Sequence, residues 1–480
     1  MRTLSSEDAF FLYLENPDQH QHVVTTLILD PATATQPVDL ESLIDAFGAS
    51  ISPLPEFRQR LSWNALSMAP PALVDDRHFQ LRNHIHRIAV PAPGTERQLA
   101  MIVEDIASTP LDHRRPLWEA WFISGLERGR LALVLKTHHC LADGVQGVHV
   151  MGQLLETTPV SAARHHPDLP TARATPAWEV TTRALYEQWR DRPGYFEVMG
   201  RTMRSLQQRR KLFTGSKELG ELVPALFEEA PKLKFNAPIT PHRSAALHSV
   251  PLSQVKRVKR ALGCTINDVV LAACTIALRD YLIATDDLPD KPLIACLPVS
   301  LTLKGQQGRK ADQGNQVGTM SVRLPVQLAD AGDIVAAVCR SSSAAKTVFE
   351  GSYQNLMQNY IGVMLPAVAD WALKAALRPS VVRYSPTSAN VVISNLPGPP
   401  IPLYLGGCRV DACYGMGPIV SGQGPNITFI SYVDSLHFSL QACRDHIPHI
   451  QDLADGIVAA FGQLSALADA SAAEPARQRA

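Results

Sequence analysis

Two adjacent histidines, His138 and His139, follow an apolar run and shortly precede Asp143 and Gly144. A neutral imidazole near pH 7 can take a proton from an alcohol and return it to a leaving group, so a histidine held in a cleft is a natural general base. His139 and Asp143 stand close enough in the chain to share one turn. Gly144 lets the backbone approach a ligand or adopt a conformation barred to other residues. The segment therefore has the residue types that acid–base catalysis needs.

Three other interpretations of this segment compete on the sequence alone. Buried, hydrogen-bonded histidines are common, so any one of the 16 histidines can be a core residue. A metal site made of His138, His139 and Asp143 is awkward, because adjacent residues at a strand end point to opposite faces, and we predict no metal ligand here. A covalent serine hydrolase would need a GxSxG nucleophile elbow, which the sequence lacks. The carboxylate of Asp143 could contact His139 or pair with an arginine elsewhere.

The elements around the histidines predict a strand that ends at the motif and a helix that begins there. Pro116 to Ile123 and Leu131 to Lys136 have strand-like composition and are joined by a turn at Gly125 to Gly129. From Gly144 onward, apolar residues recur at helical spacing. A strand end that meets a helix start directs side chains and backbone N–H groups into a cleft.

Strands and helices are mixed in both halves of the 480-residue chain, which predicts an α/β fold with two domains around one site. The first domain would span residues 1–158 and the second residues 241–467. Between them, residues 159–240 combine a linker rich in Pro and Ala with a basic, aromatic, helical region. Residues 468–480, rich in Ala, Glu and Arg, predict a disordered tail.

Charge and cysteine usage exclude several classes of protein. The number of Lys and Arg residues equals the number of Asp and Glu residues, at 45 each. The chain therefore lacks the excess of positive charge that is typical of a general nucleic-acid binder. Eight cysteines lie among apolar neighbours without a CxxC pair, which indicates reduced thiols in a cytosolic protein. The first residues carry acids where a signal peptide needs an apolar stretch, and no run approaches the roughly 18 apolar residues of a membrane span. We therefore expect a cytoplasmic protein that meets any lipid from the membrane surface.

Glycine-rich stretches do not predict a nucleotide site. The segments that begin at Gly415 and Gly422 lack the third glycine of a dinucleotide fingerprint, and no GxxxxGK phosphate loop is present. We interpret both segments as loops.

The residues from His138 to Gly144 match the HHxxxDG signature, and the chain resembles the bacterial wax ester synthase/acyl-CoA:diacylglycerol acyltransferase family of the chloramphenicol acetyltransferase-like superfamily. The motif alone would also admit the condensation domains of peptide synthetases. Further segments are similar to blocks of the family: Ser6–Val23, Asn83–Arg87, Pro91–Gly94, Pro116–Trp118, Asn267–Ala272, Gly314–Gly318, Ser394–Pro399 and Ser431–Tyr432. The resemblance thus spans nearly the whole chain.

The resemblance implies a fold and a reaction. Each half would be a two-layer, chloramphenicol acetyltransferase-like domain with a mixed sheet, and an active-site tunnel would run between them. His139 would be the base that activates the hydroxyl of a diacylglycerol or a long-chain alcohol for direct attack on the thioester of acyl-CoA. Acyl-CoA would be the co-substrate, with no other cofactor. Asp143 would brace the turn through an arginine, and His138 and Gly144 would support the site.

Two further regions have both a functional and a structural interpretation. Asn267, at the start of a predicted core helix, is a candidate for substrate positioning or oxyanion contact, or only an asparagine at a helix start. The basic, aromatic region from Trp178 to Lys211 could rest on the anionic lipid of a membrane or lipid droplet, or form a solvated helix between domains.

Two other functions stay open at this point. A condensation-type acyltransferase would act on an amine or on the hydroxyl of a secondary metabolite. A lipid-binding protein without catalytic activity could keep the same fold. The intact HHxxxDG motif favours an enzyme, because binding alone gives no reason to keep a base beside a flexible glycine.

Overall fold

The computed structural model describes residues 1–64, 67, 69–141, 152, 154–159, 175–190, 229–300, 317–352 and 366–477. The strands within these ranges are β1 (Arg2–Thr3), β2 (His22–Asp30), β3 (Gln59–Ser62), β4 (Ala72–Asp75), β5 (Ile85–Ala89), β6 (Trp118–Ser124), β7 (Leu131–His138), β8 (Arg243–Pro251), β9 (Leu293–Ser300), β10 (Val317–Leu324), β11 (Val391–Pro397), β12 (Tyr404–Leu405), β13 (Cys408–Met416), β14 (Asn426–Tyr432) and β15 (Ser435–Cys443). The helices are α1 (Ser6–Leu14), α2 (Leu40–Ile51), α3 (Glu96–Ser108), α4 (Ala177–Arg190), α5 (Leu252–Leu262), α6 (Ile266–Ala284), α7 (Ala331–Ser352), α8 (Pro366–Ala376), α9 (Pro379–Tyr384) and α10 (Ile450–Arg477).

Strand pairing within these ranges forms two six-stranded sheets and a small sheet of β1, β4 and β3. The first large sheet has the order β12-β13-β2-β7-β6-β5, in which β5 and β6 run parallel and the other neighbours antiparallel. The second has the order β10-β9-β11-β14-β15-β8, in which β11 runs parallel to both of its neighbours. The predicted α/β fold with mixed sheets is therefore confirmed.

Strand β7 lies inside the first sheet and is buried on both faces. Its side chains alternate, so Leu133 and Leu135 pack with α2 while Ala132 and Val134 pack with α3. Helix α3 also packs against β8, so it contacts both large sheets. A strand in this position has no solvent-facing side on which to place polar groups, and each polar side chain that it carries must find a partner.

Strands β12 and β13 come late in the chain but complete the first sheet, because β13 pairs with β2 along its length. Within β13, a Cβ added at Gly415 would lie 3.0 Å from Cδ1 of Ile430 in the second sheet. The Oγ of Ser439 donates to the carbonyl oxygen of Gly415 over 2.5 Å. Gly415 thus lies in a strand where its missing side chain allows close packing, and its interpretation as a loop is wrong. Residues 241–467, predicted as one second domain, supply two strands to the first sheet.

The long helix α10 closes the core of the second sheet, with Leu453, Ile457, Phe461 and Leu464 buried in one cluster with α6. Among the described residues, Ile450–Ser471 is the one helix long and apolar enough to cross a membrane, and the bent pair of α5 and α6 would add a second span if counted together.

Helix α10 continues to Arg477, so the predicted disorder is wrong for residues 468–477. Alanine favours helix, and this segment is rich in it.

Lys136 is a fully buried cation on β7, two positions before His138. Its Nζ lies 2.9 Å from Oε2 of Glu119 on β6 and donates to the carbonyl oxygens of Ile106 and Thr109 at the end of α3. These carbonyl groups carry the negative end of the helix dipole. Burial lowers the pKa of Lys136, and the charge of Glu119 opposes that shift. The three acceptors match the three donors of the ammonium group, so Lys136 joins α3 to the strand that carries the histidines.

Replacing Lys136 with Met should lower the free energy of unfolding by about 3 kcal/mol, because Glu119 and two helix carbonyl groups would lose a buried partner. The midpoint of urea unfolding at pH 7, followed by circular dichroism, measures this loss. Lys374→Met is the matched control, since it removes an exposed pair with Asp370 (Nζ to Oδ1, 2.7 Å). That control should cost less than about 0.5 kcal/mol. Equal losses in the two variants would contradict the role of Lys136.

Candidate active site

Strand β7 ends at His138, and neighbouring strands hold the backbone of both histidines. The N–H of His138 donates to the carbonyl oxygen of Leu117 over 3.0 Å, and that of His139 donates to Gln21 over 2.8 Å. The N–H of Leu141 then donates back to the carbonyl oxygen of His138 over 3.0 Å. The chain therefore leaves the sheet in a tight turn directly after His138, and the strand end predicted at the motif is confirmed.

His138 is fully buried, and both of its ring nitrogens face protein groups. Its Nδ1 accepts a hydrogen bond from the N–H of Cys140 over 3.1 Å. A neutral imidazole carries one proton, so an accepting Nδ1 leaves that proton on Nε2. Nε2 lies 3.4 Å from Oε2 of Glu15. Burial lowers the pKa of His138, although Glu15 opposes the shift, and this arrangement suits the supporting role predicted for it.

His139 has a different environment from its neighbour. It is half-buried, and its ring stacks on Phe11 of α1 with the ring centroids 3.8 Å apart and the planes 19° from parallel. Burial, reinforced by the nearby His138, lowers the pKa of His139 to about 4. Its imidazole is therefore neutral at pH 7, which is the form that can accept a proton. Partial exposure lets a substrate approach the ring.

Glu15 follows α1 and lies among three histidines, namely the nearby His22 and the more distant His113 and His138. Its Oε2 is 2.7 Å from Nε2 of His113, and its Oε1 is 3.7 Å from Nε2 of His22. Burial alone would raise the pKa of Glu15, but hydrogen bonds with His113 and His138 outweigh burial and hold that pKa far below its usual range. The same interaction with Glu15 raises the pKa of His113. A charged carboxylate thus lies beside His138.

Glu15, His113 and His138 carry potential ligand atoms within 4.8 Å of one another, a donor set that in principle suits Zn²⁺. The hydrogen bond from Cys140 argues against a metal, because it leaves a proton on the nitrogen of His138 that faces Glu15. Metal binding there would require the loss of this hydrogen bond. The geometry of these residues therefore favours hydrogen bonding among themselves.

The remaining predicted site residues are Asp143, Gly144 and Asn267. Asp143 and Gly144 are outside the described residues, as is the start of the helix predicted from Gly144, so their roles stay predictions. Asn267 is half-buried at the second position of α6. Thr265 and Asp268 form the capping box that begins this helix, so the predicted helix start is confirmed. The catalytic role of Asn267 stays a prediction.

Three neighbours of the histidine pair were not predicted as site residues: Phe11, Glu15 and His113. Phe11 and Glu15 stand four positions apart, so they lie on one side of the N-terminal helical segment. This spacing of four is the signal in the sequence from which Phe11 and Glu15 could have been predicted to lie on the same side of a helix. Nothing in the sequence connects this side of α1 to a strand end far along the chain, because that contact exists only after the sheet has formed.

Two family models match the chain and together cover most of it. The wax ester synthase/diacylglycerol acyltransferase catalytic domain matches residues 4–270. The C-terminal domain of the same family matches residues 313–465. The two models thus include both histidines of the motif and every described strand of the two large sheets except β9.

Two proteins of Mycobacterium tuberculosis that carry the name of a diacylglycerol O-acyltransferase are similar over nearly their full length. One is 34% identical over 473 residues, which cover 98% of this chain and 91% of the relative. The other is 33% identical over 455 residues, which cover 93% of this chain and 96% of the relative.

Solved structures agree with these relatives. The wax ester synthase/diacylglycerol acyltransferase of Marinobacter aquaeolei VT8 matches with a TM-score of 0.67 and 27% identity, over 97% of this chain and 100% of that one. A trichothecene 15-O-acetyltransferase of Fusarium sporotrichioides shares the fold, with a TM-score of 0.59 and 14% identity over 97% of this chain and 95% of that one. From its motif, its fold and these similarities together, the chain belongs to the wax ester synthase/diacylglycerol acyltransferase family.

Proposed function

We propose that this chain is an O-acyltransferase that moves a long-chain acyl group from acyl-CoA to the hydroxyl of a diacylglycerol, of a long-chain alcohol, or of both. The observation that carries the proposal is the imidazole of His139, which is neutral at pH 7 and partly exposed at the end of β7. The family and the names of the relatives support this substrate class.

His139 acts as a general base and then as a general acid. It takes the proton of the acceptor hydroxyl while the hydroxyl oxygen attacks the thioester carbonyl carbon. A C–O bond forms, and the carbonyl electrons move onto oxygen to give a tetrahedral oxyanion. When this intermediate collapses, the C–S bond breaks and His139 gives its proton to the CoA thiolate. The imidazole ends neutral, and no covalent enzyme intermediate forms.

The low pKa of His139 has two opposing effects on this cycle. It keeps the imidazole neutral and makes the imidazolium a strong acid, which favours return of the proton to the thiolate. It also weakens the base in the first step. The developing oxyanion offsets that weakness, because a nearby negative charge favours the imidazolium.

Other parts of the site complete the proposal. Asn267 would donate to the oxyanion or position the acyl group from the start of α6, where the positive end of the helix dipole favours a negative charge. Asp143 would brace the turn after His139 through an arginine. The two substrates would reach His139 through a tunnel between the two halves of the fold.

Purified protein offered palmitoyl-CoA with dioleoylglycerol, hexadecanol or a long-chain amine should form triacylglycerol, wax ester or both, detected by thin-layer chromatography. His139→Ala should lower the rate by about 10² to 10⁴, which is the usual contribution of a general base. His78→Ala, at an exposed histidine, is the matched control and should leave the rate unchanged. A folded His139→Ala protein with full activity, or transfer to the amine alone, would overturn the proposal.

The pH dependence of kcat/KM should show an acid limb at about pH 4. His139 accepts a proton only when neutral, and its pKa of about 4 keeps it neutral down to that pH. Below it, the rate should fall about tenfold per pH unit. Release of CoA can be followed with a thiol reagent that reacts in acid, with circular dichroism at each pH to confirm folding. A limb centred at 6.5, the ordinary value for histidine, would contradict the lowered pKa.

We also propose that the enzyme is cytoplasmic and that it contacts an anionic membrane or lipid-droplet surface. The region predicted for this contact is described only up to Arg190, and there α4 exposes Trp178 and Tyr186. Helices α8 and α9 expose Trp371 and Tyr384, with exposed fractions of 68% and 84%. The exposed cations on these helices and in the link between them are Lys374, Arg378 and Arg383. Exposed aromatic rings and cations are the side chains with which proteins rest on anionic lipid.

Replacing both Trp371 and Tyr384 with Ala should weaken binding to vesicles of phosphatidylglycerol and phosphatidylcholine by about tenfold, because each ring loses apolar area buried in the interface. Co-sedimentation measures the bound fraction. The pair Trp178→Ala and Tyr186→Ala tests α4 separately. Met101→Ala removes an exposed apolar side chain from α3 and is the control. Unchanged binding in both double variants would exclude these surfaces.

A further inference from the structure

Helix α1 and the residue that follows it contact both histidines of the motif. The ring of Phe11 stacks on His139, and one turn later the carboxylate of Glu15 faces Nε2 of His138. We propose that Glu15 is a positioning residue for the proposed acyl transfer: its carboxylate holds His138 in the Nε2–H tautomer and thereby fixes the turn that carries His139. This inference rests on the proposed function, but the effect of Glu15 on the tautomer of His138 can be measured without any enzymatic activity.

The turn depends on the orientation of the His138 ring. Cys140 is buried, and its N–H donates to Nδ1 of His138. If the ring rotated, or if its proton moved to Nδ1, this buried N–H would face another donor or lose its partner, which costs free energy. The carbonyl oxygen of His138 also accepts from the N–H of Leu141. Side chain and backbone of His138 therefore both shape the two residues that follow His139.

A carboxylate is the group that selects this tautomer. An ionised carboxylate only accepts hydrogen bonds, so it favours an N–H on the nitrogen that faces it. Glu15 stays ionised although its side chain is only 12% exposed, because His113 binds the same oxygen over 2.7 Å. The side chain of His113 is 37% exposed, so it links the buried carboxylate to solvent. His22 flanks the other carboxylate oxygen at 3.7 Å.

Strand register and a backbone hydrogen bond fix the segment that carries Glu15 relative to the histidine pair. His22 of β2 pairs directly with His138 of β7, and Gln21 accepts from the N–H of His139. The segment from α1 into β2 therefore contacts the histidine pair through two side chains and one carbonyl group. A change at Glu15 acts on His139 only through His138, which is why we assign it a positioning role and not a catalytic one.

The test compares Glu15→Ala and Glu15→Gln with the wild type. We expect Glu15→Ala to lower kcat by about 10- to 100-fold, the size of effect known for groups that orient metal ligands through a hydrogen bond. The KM for palmitoyl-CoA should change less than about threefold, since substrate contacts are unaltered. Glu15→Gln, which keeps an oxygen acceptor without the charge, should recover part of kcat. Glu41→Gln removes a carboxylate from an exposed pair with Arg87 and should leave kcat unchanged.

Nuclear magnetic resonance of protein labelled with ¹⁵N-histidine provides the second measurement. The signal of His138, assigned by its loss in His138→Gln, should show a protonated Nε2 in the wild type and a mixture of tautomers in Glu15→Ala. If Glu15→Ala does not fold, Glu15→Gln gives the same comparison. A wild-type tautomer and a wild-type kcat in these variants would overturn the inference. A wild type that transfers no acyl group would instead refute the proposed function, while the tautomer of His138 still decides the role of Glu15.

Discussion

The burial of β7 on both faces is the constraint on which the site depends. A strand inside a sheet with helices on either side cannot offer polar side chains to water, yet β7 carries both Lys136 and His138, which are fully buried. Each therefore needs a partner from another element. Glu119 and the end of α3 satisfy Lys136, and Glu15 faces His138. These pairings join β6, α3 and the N-terminal segment to the strand that presents the catalytic candidate.

The two histidines of the motif show how neighbouring residues of one type acquire different chemistry. His138 lies at the last position of the strand, where the sheet covers it and both of its nitrogens face protein groups. His139 lies one position later, where the chain has left the sheet and the ring meets the flat face of Phe11. A base needs a ring with a lone pair that a substrate can reach. The end of the strand therefore separates a histidine that shapes the turn from one that can react.

The two halves of the chain are joined more closely than a linear division suggests. Strands β12 and β13 belong to the later part of the chain but are part of the first sheet. There β13 pairs with β2, and β2 in turn pairs with β7. Close packing at Gly415 brings this extension of the first sheet against Ile430 of the second. Helix α3 contacts both sheets from the other side. The strand that carries the histidines is therefore held by residues from both ends of the sequence.

Much of this protein could be predicted from local features of its sequence. The spacing from His138 to Gly144 indicated acid–base chemistry at a strand end, the apolar patterns indicated mixed strands and helices, and a core helix was predicted to start at Asn267, close to the observed start of α6. Such features depend on neighbours within a few positions, which the sequence displays directly. Family resemblance extended them to a fold and a reaction class.

Only the tertiary structure decided which residues surround the histidines. Glu15 and His113 meet His138 because α1 and the loop before β6 converge on the end of β7, and no local pattern encodes that convergence. The lowered pKa of His139 likewise arises from burial and from the proximity of His138 in the folded state. The sequence by itself determined the type of chemistry, since that depends on residue identity. Tertiary structure decided the protonation, partners and orientation of the groups, because these depend on desolvation and on contacts between distant parts of the chain.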